Sequence, residues 1–195
     1  MLEFLVIVGS TRRGRRGRVI ADWFMDHACR LGRAHWTLVD LAELRLPCLD
    51  FEYVSSSDEP HPVEAVNQWK ALVGDSDGFV WVTPEYNHGY PAPLKNALDH
   101  VYDEWHRKPV AIVSYGGAAG GARAAEQLRL VACELHMAPI QAALVIPSIQ
   151  QRLADDPVAG LRDSQEHVAS LVNELVWWAV TLKQGRRRSL EGPAT

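Results

Sequence analysis

Short apolar runs alternate with stretches of helical periodicity along most of the chain. Residues 2–8 are apolar except for Glu3, and 36–41, 78–82, 110–114 and 140–146 repeat the theme. The runs at 2–8 and 78–82 predict strands buried on both faces. Between the runs, residues 18–31, 63–73, 93–102 and 122–136 predict helices. In the first of these Val19, Ile20, Trp23, Phe24 and Ala28 make the apolar face, and Gly32 is a stop. Long polar connections cover 42–62 and 147–157. After them Leu161, Val168, Leu171, Val172, Leu175, Ala179 and Leu182 recur at helical spacing and predict a last helix ending near Lys183. Residues 186–195, opening on Arg186-Arg187-Arg188, read as a flexible basic tail. Neither a repeat nor a linker divides residues 1–185, so they form one predicted domain. Strands alternating with helices predict an α/β fold in three layers, with a parallel sheet covered on both faces. Five strands suit the doubly wound order 2-1-3-4-5.

Composition narrows the partners. Hydrophobic residues are 47% and charged residues 23% of 195, as in soluble globular proteins. A formal charge of −4 argues against nucleic acid or an anionic membrane as main partner. No apolar run is long enough to cross a bilayer, and the N-terminus leads straight into a strand with no signal-peptide pattern. Cys29, Cys48 and Cys133 are few, odd in number and widely spaced, which suits a reducing cytoplasm. The eight histidines show no metal-ligand spacing.

The chemistry gathers at the carboxyl ends of the first, third and fourth strands, which the predicted order makes neighbours around one crevice. Residues 10–17, Ser10-Thr11-Arg12-Arg13-Gly14-Arg15-Arg16-Gly17, combine hydroxyls, guanidinium groups and glycines ahead of a helix, a setting that favours phosphate. The alternative is a solvated basic turn. Gly9 and Gly14 have Walker A spacing, but Arg15-Arg16 stands where Lys-Ser/Thr is required, and G-x-G-x-x-G is absent. The loop after the third strand carries Pro84-Glu85-Tyr86-Asn87. Pro84, Pro91 and Pro93 stiffen it, while Tyr86 and Tyr90 offer flat faces to a planar ring; otherwise it is a turn packed by its own tyrosines. The loop from Ser114 to Gly121 holds four glycines in six residues, which would let its N–H groups approach a ring edge. His88, His100, Glu104 and His106 read as surface groups, and nothing near Cys48 activates it. Trp177-Trp178 fits core or a subunit interface. Leu94, Leu98, Val101, Tyr102 and Trp105 exceed what one sheet face would cover, which points to association.

Three motifs in order are Gly9-Ser10-Thr11-Arg12, then Pro84-Glu85-Tyr86-Asn87 with Leu94-Lys95-Asn96-Ala97-Leu98-Asp99, then Ser114-Tyr115-Gly116-Gly117. Together they resemble the NADPH-dependent FMN reductase family, which has a flavodoxin-like fold and includes quinone, chromate and azo-dye reductases. The resemblance covers residues 2–146. It implies that Ser10, Thr11, Arg12 and Arg15, with the Gly17 turn, hold the FMN phosphate. It implies that Pro84, Glu85, Tyr86 and Asn87 line the isoalloxazine, and that Ser114, Gly116 and Gly117 approach its pyrimidine edge. Some relatives carry Ser and Asn where this chain has Arg15 and Gly17. The implied activity passes a hydride from NADPH through flavin N5 to a small acceptor such as a quinone, with no catalytic side chain, in a homodimer or homotetramer. The competing reading is a flavodoxin-type electron carrier serving a protein partner.

Overall fold

The structure, a computed structural model, describes residues 1–50, 63–154 and 156–190. Its strands are β1 (Glu3–Val8), β2 (His35–Asp40), β3 (Gly78–Pro84), β4 (Pro109–Tyr115) and β5 (Ala138–Ile146). They form one sheet in the order β2-β1-β3-β4-β5 with every pairing parallel, as the alternation of elements predicts. The helices are α1 (Gly17–Arg30), α2 (Leu41–Leu44), α3 (Glu64–Asp75), α4 (Ala92–Asp99), α5 (Ala122–Glu134), α6 (Ile149–Arg152), α7 (Pro157–Gly160) and α8 (Gln165–Leu190).

Successive strand residues point to opposite faces, so the central strands feed two cores. Val6, Val8, Val80, Val82, Ala111 and Val113 pack with α1 and α8. Leu5, Ile7, Phe79, Trp81, Val110 and Ile112 pack with α3, α4 and α5. Trp105 anchors the second core. Its ring lies 4.7 Å from Phe79, 5.8 Å from Trp69 and 6.1 Å from Trp81, all edge-on, the arrangement that the quadrupoles of aromatic rings favour.

Leu94, Leu98, Val101 and Trp105 are each 0–1% exposed within this chain. The apolar excess expected to call for a partner is therefore spent on the chain's own sheet. His100 also departs from expectation. It is 2% exposed, with Nε2 2.9 Å from the Pro47 carbonyl, because the described part of the long connection folds over α4. The rest of that connection, 51–62, lies outside the described residues.

Two boundaries moved for electrostatic reasons. β2 stops at Asp40 because its carboxylate caps α2, accepting the Ala42 N–H at 3.0 Å. The last helix does not end near Lys183 and leave a tail from 186. α8 runs on to Leu190, and Arg186 donates to the Arg107 carbonyl at 2.7 Å and to Asp77 at 3.1 Å. Asp77 is 4% exposed and also holds Lys183 at 2.6 Å; a buried carboxylate needs such partners. Residues 191–195 lie outside the description. Among the described residues no helix is long and apolar enough to cross a membrane.

Candidate functional site

Backbone hydrogen bonds carry the sheet past its strand ends. The Gly9 N–H donates to the Val82 carbonyl at 2.9 Å, and the Glu85 N–H to the Tyr115 carbonyl at 3.1 Å. The loops after β1, β3 and β4 thus meet at one edge, as the predicted strand order requires. Residues 12–16, 84–86 and 115–117, with Ile149 and Gln150 from α6, line a crevice of about 250 Å³ there.

The N-terminus of α1 forms one side. Its cap residue, Arg16, makes no side-chain cap bond, and the first turn has no acidic residue. The positive dipole end of this helix has neither a side-chain cap nor a first-turn carboxylate, a setting that suits an outside anion. Arg12, Arg13 and Arg16 are exposed beside it. Arg15 is committed elsewhere. Its Nε and Nη2 lie 3.2 and 2.5 Å from Asp40, whose side chain is 0% exposed. Arg18 is held by Asp22 and Glu43. Arg15 lines the crevice but is first a brace between the phosphate-like loop and β2.

Ser10 is fully buried, and its Oγ is 2.7 Å from the Tyr86 hydroxyl. This bond ties the first loop to the second. The Arg12 guanidinium sits 5.3 Å above the Tyr86 ring, within cation–π range. Thr11 turns away. It lines a second hollow of about 500 Å³ shared with Leu41, Leu46, Cys48, Pro93 and Asn96. That hollow is larger and more apolar, but the crevice holds the cationic and uncapped groups.

The β3 loop is a two-residue hairpin. Tyr86 and Gly89 exchange backbone bonds of 2.8 and 3.0 Å, and Asn87 and His88 take φ of 50° and 70°. Positive φ at both central positions is the type I′ turn, which Asn tolerates well. Asn87 therefore stands at an exposed tip and not in the crevice wall. α5 grips this hairpin twice. Glu85 accepts from the Arg123 N–H at 3.1 Å and Nε at 2.5 Å, and Gln127 Nε2 donates to the His88 carbonyl at 3.0 Å. Burial works against the charged Glu85 carboxylate, but the Arg123 bonds outweigh it and hold the pKa below its ordinary value.

The glycine loop differs in detail from expectation. Ser114 is fully buried, its Cβ facing Gly121, so its side chain does not reach the crevice. The Gly116 N–H donates to the Ile146 carbonyl at 3.2 Å, which continues the sheet ladder and takes that amide away from a ligand. The Gly116 and Gly117 carbonyls accept from the Ile149 and Ser148 N–H groups at 3.0 and 2.9 Å. The left-handed positions are Gly120 and Gly121, at φ 60° and 88°.

Gly17 is buried because Tyr115 covers it: a Cβ there would lie 2.7 Å from the Tyr115 hydroxyl. Asp40 and Arg123 lie outside the motifs, and Tyr115 lies within the third motif without a role assigned to it. Strand parity carries a signal for Tyr115, since it shares a face with Ala111 and Val113 and so points toward α1. Arg123 and Glu85 are 38 positions apart, and no local pattern links them.

Comparison with known proteins adds the family. Residues 2–151 match the family described as NADPH-dependent FMN reductase. An NAD(P)H-dependent FMN reductase of Schizosaccharomyces pombe is 41% identical over 169 residues, covering 80% of each chain. A 2-hydroxy-1,4-benzoquinone reductase of a Burkholderia species is 29% identical over 184 residues, covering 91% of this chain and 96% of the relative. Among solved structures, the flavoenzyme NAD(P)H:(acceptor) oxidoreductase FerB of Paracoccus denitrificans superposes with a TM-score of 0.73 at 24% identity, over 93% of this chain and 98% of its own. That likeness shows the flavodoxin-like fold. With the match spanning three of its motif loops and most of its length, the chain belongs to the NADPH-dependent FMN reductase family.

Proposed function

We propose that the protein is an FMN-dependent oxidoreductase that takes electrons from NADPH and delivers them to a small acceptor of the quinone type. One observation carries this reading: an uncapped, arginine-flanked helix start and a stiff Pro–Tyr wall open onto the same crevice. The first suits a phosphate and the second a planar ring. FMN joins those two chemistries in one molecule, so the residues present fit it.

In this reading the amides at the start of α1 and the Arg12 guanidinium bind the phosphate. Pro84 and Tyr86 line one side of the ring, and Gly116 and Gly117 approach its edge as backbone. The Glu85–Arg123 pair fixes the distance between the β3 hairpin and the start of α5, and so the width of the slot. Ser10 and Thr11 act less directly, Ser10 by holding Tyr86. FMN held there would supply the redox chemistry between NADPH as hydride donor and the acceptor. The protein's part is orientation and electrostatics, with no side chain needed as acid or base. A quinone acceptor agrees with the named activity of the Burkholderia relative. An electron carrier would need no NADPH oxidation, and relatives named as reductases favour the enzyme. All three cysteines are free and exposed, which suits a reducing cytoplasm. Association as a homodimer or homotetramer rests on the family resemblance.

The test is direct. The purified protein should show a flavin spectrum, release FMN on denaturation, and oxidise NADPH when menadione is added. A protein that binds FMN but leaves NADPH untouched in the presence of menadione is a carrier, and one that binds no FMN refutes the proposal.

A further inference from the structure

We propose that the Tyr115 hydroxyl is a direct ligand of the FMN phosphate. The proposal rests on the FMN reading above and adds a residue to it. Tyr115 ends β4 and is 4% exposed, with its ring packed in the core under α1. Its hydroxyl sits beside Gly17, the first residue of α1, and the residue lines the crevice.

Among the described residues no group takes the hydroxyl proton. The Gly17 N–H approaches the oxygen, but from the side on which the oxygen accepts. A buried donor without an acceptor is unusual, because its lost hydration goes uncompensated. Trp69 Nε1 and Trp105 Nε1 find carbonyl acceptors at 2.7 and 3.1 Å, whereas Trp36 Nε1, Trp81 Nε1 and Ser114 Oγ share the lack of a partner; of these unsatisfied residues only Tyr115 lines the crevice. Burial pushes the Tyr115 phenol up, the neighbouring Tyr86 adds to that shift, and Arg15 and Arg16 pull only partly back. At neutral pH the group therefore keeps its proton and has it to donate. What lies next to it is an uncapped helix start flanked by arginines. A phosphate oxygen bound there would take the spare proton and the helix amides together. The same contact accounts for Gly17, since any side chain at that position would displace the hydroxyl.

The location selects the phosphate over the ring. The hydroxyl is near Gly17, Arg15 and Arg16, whereas the β3 hairpin is gripped from α5. FMN and riboflavin, which lacks the phosphate, therefore serve as paired probes.

Tyr115→Phe keeps the ring and removes only the hydroxyl. Flavin-fluorescence titration of the apoprotein should show FMN bound about ten- to a hundredfold more weakly than by the wild type, the range for a hydrogen bond to a charged group. Riboflavin affinity should be unchanged, and the apoprotein should melt at or above the wild-type temperature, because an unsatisfied group has gone. FMN affinity within twofold of wild type would overturn the proposal. So would an equal loss for FMN and riboflavin with a lowered melting temperature, which would make the hydroxyl a structural group. A wild-type protein that binds no FMN at all would overturn the functional reading itself, and this proposal with it.

Discussion

Arg12 and Arg15 occupy one loop and do different work. Arg12 is exposed, stacked on Tyr86 at the mouth of the crevice. Arg15 answers the Asp40 carboxylate, which is 0% exposed and has its other oxygen on the Ala42 N–H. Sequence alone shows four arginines near a helix start and treats them alike; only the return of β2 beside β1 brings Asp40 to Arg15. The two truncations should therefore separate. Arg12→Ala should weaken FMN by about 1.5–3 kcal/mol in a fluorescence titration, with the urea midpoint unmoved. Arg15→Ala should lower stability by about 1–3 kcal/mol in urea, since it strips a buried carboxylate of its main partner while Arg18, at 3.8 Å, compensates in part. Equal loss of stability in both variants would remove the distinction.

At the scale of elements, the strands were legible and the ends of helices were not. β1, β3 and β4 are almost wholly buried, and burial on both faces writes itself into sequence as a continuous apolar run. Helix ends depend on partners distant in sequence. α8 outruns its apolar period because Asp77, 109 positions earlier, holds Arg186. The glycine loop shows the same limit. Four glycines announced a close approach, but composition could not say which of them is constrained. The constraint falls at Gly120 and Gly121: a Cβ would lie 2.6 Å from the Val145 side chain at Gly120, where φ is 60°, and 2.8 Å from both the Ser114 Cβ and the Tyr115 nitrogen at Gly121, where φ is 88°. Gly117 has nothing within 4 Å of such a Cβ. Gly121→Ala should cost about 2–4 kcal/mol in a thermal or urea melt. Gly117→Ala should cost under about 0.5 kcal/mol. The reverse order would mean that the loop is held otherwise.

For the whole molecule, the strand order made the crevice legible before any side chain was placed, because it sets the ends of β1, β3 and β4 side by side. Its fine structure was not legible: Ser114 packs behind the wall, Asn87 stands at a hairpin tip, and α6 closes the far side. Association was argued from residues that prove to be core. The apolar groups left outside include Trp177, 60% exposed, and Val180, 42% exposed, on the outer side of α8. Light scattering at micromolar concentration should give a dimeric or larger mass; a monomer with full NADPH–menadione turnover would show that no partner is required.

The central claim is that a phosphate-bearing flavin sits with its phosphate on the start of α1. Comparing FMN with riboflavin on the wild-type apoprotein, by fluorescence titration in one buffer at one ionic strength, tests it most directly. The account predicts FMN bound at least about a hundredfold more tightly, the worth of two or more charge-assisted hydrogen bonds. Equal affinities for the two flavins, or binding of neither, would contradict it.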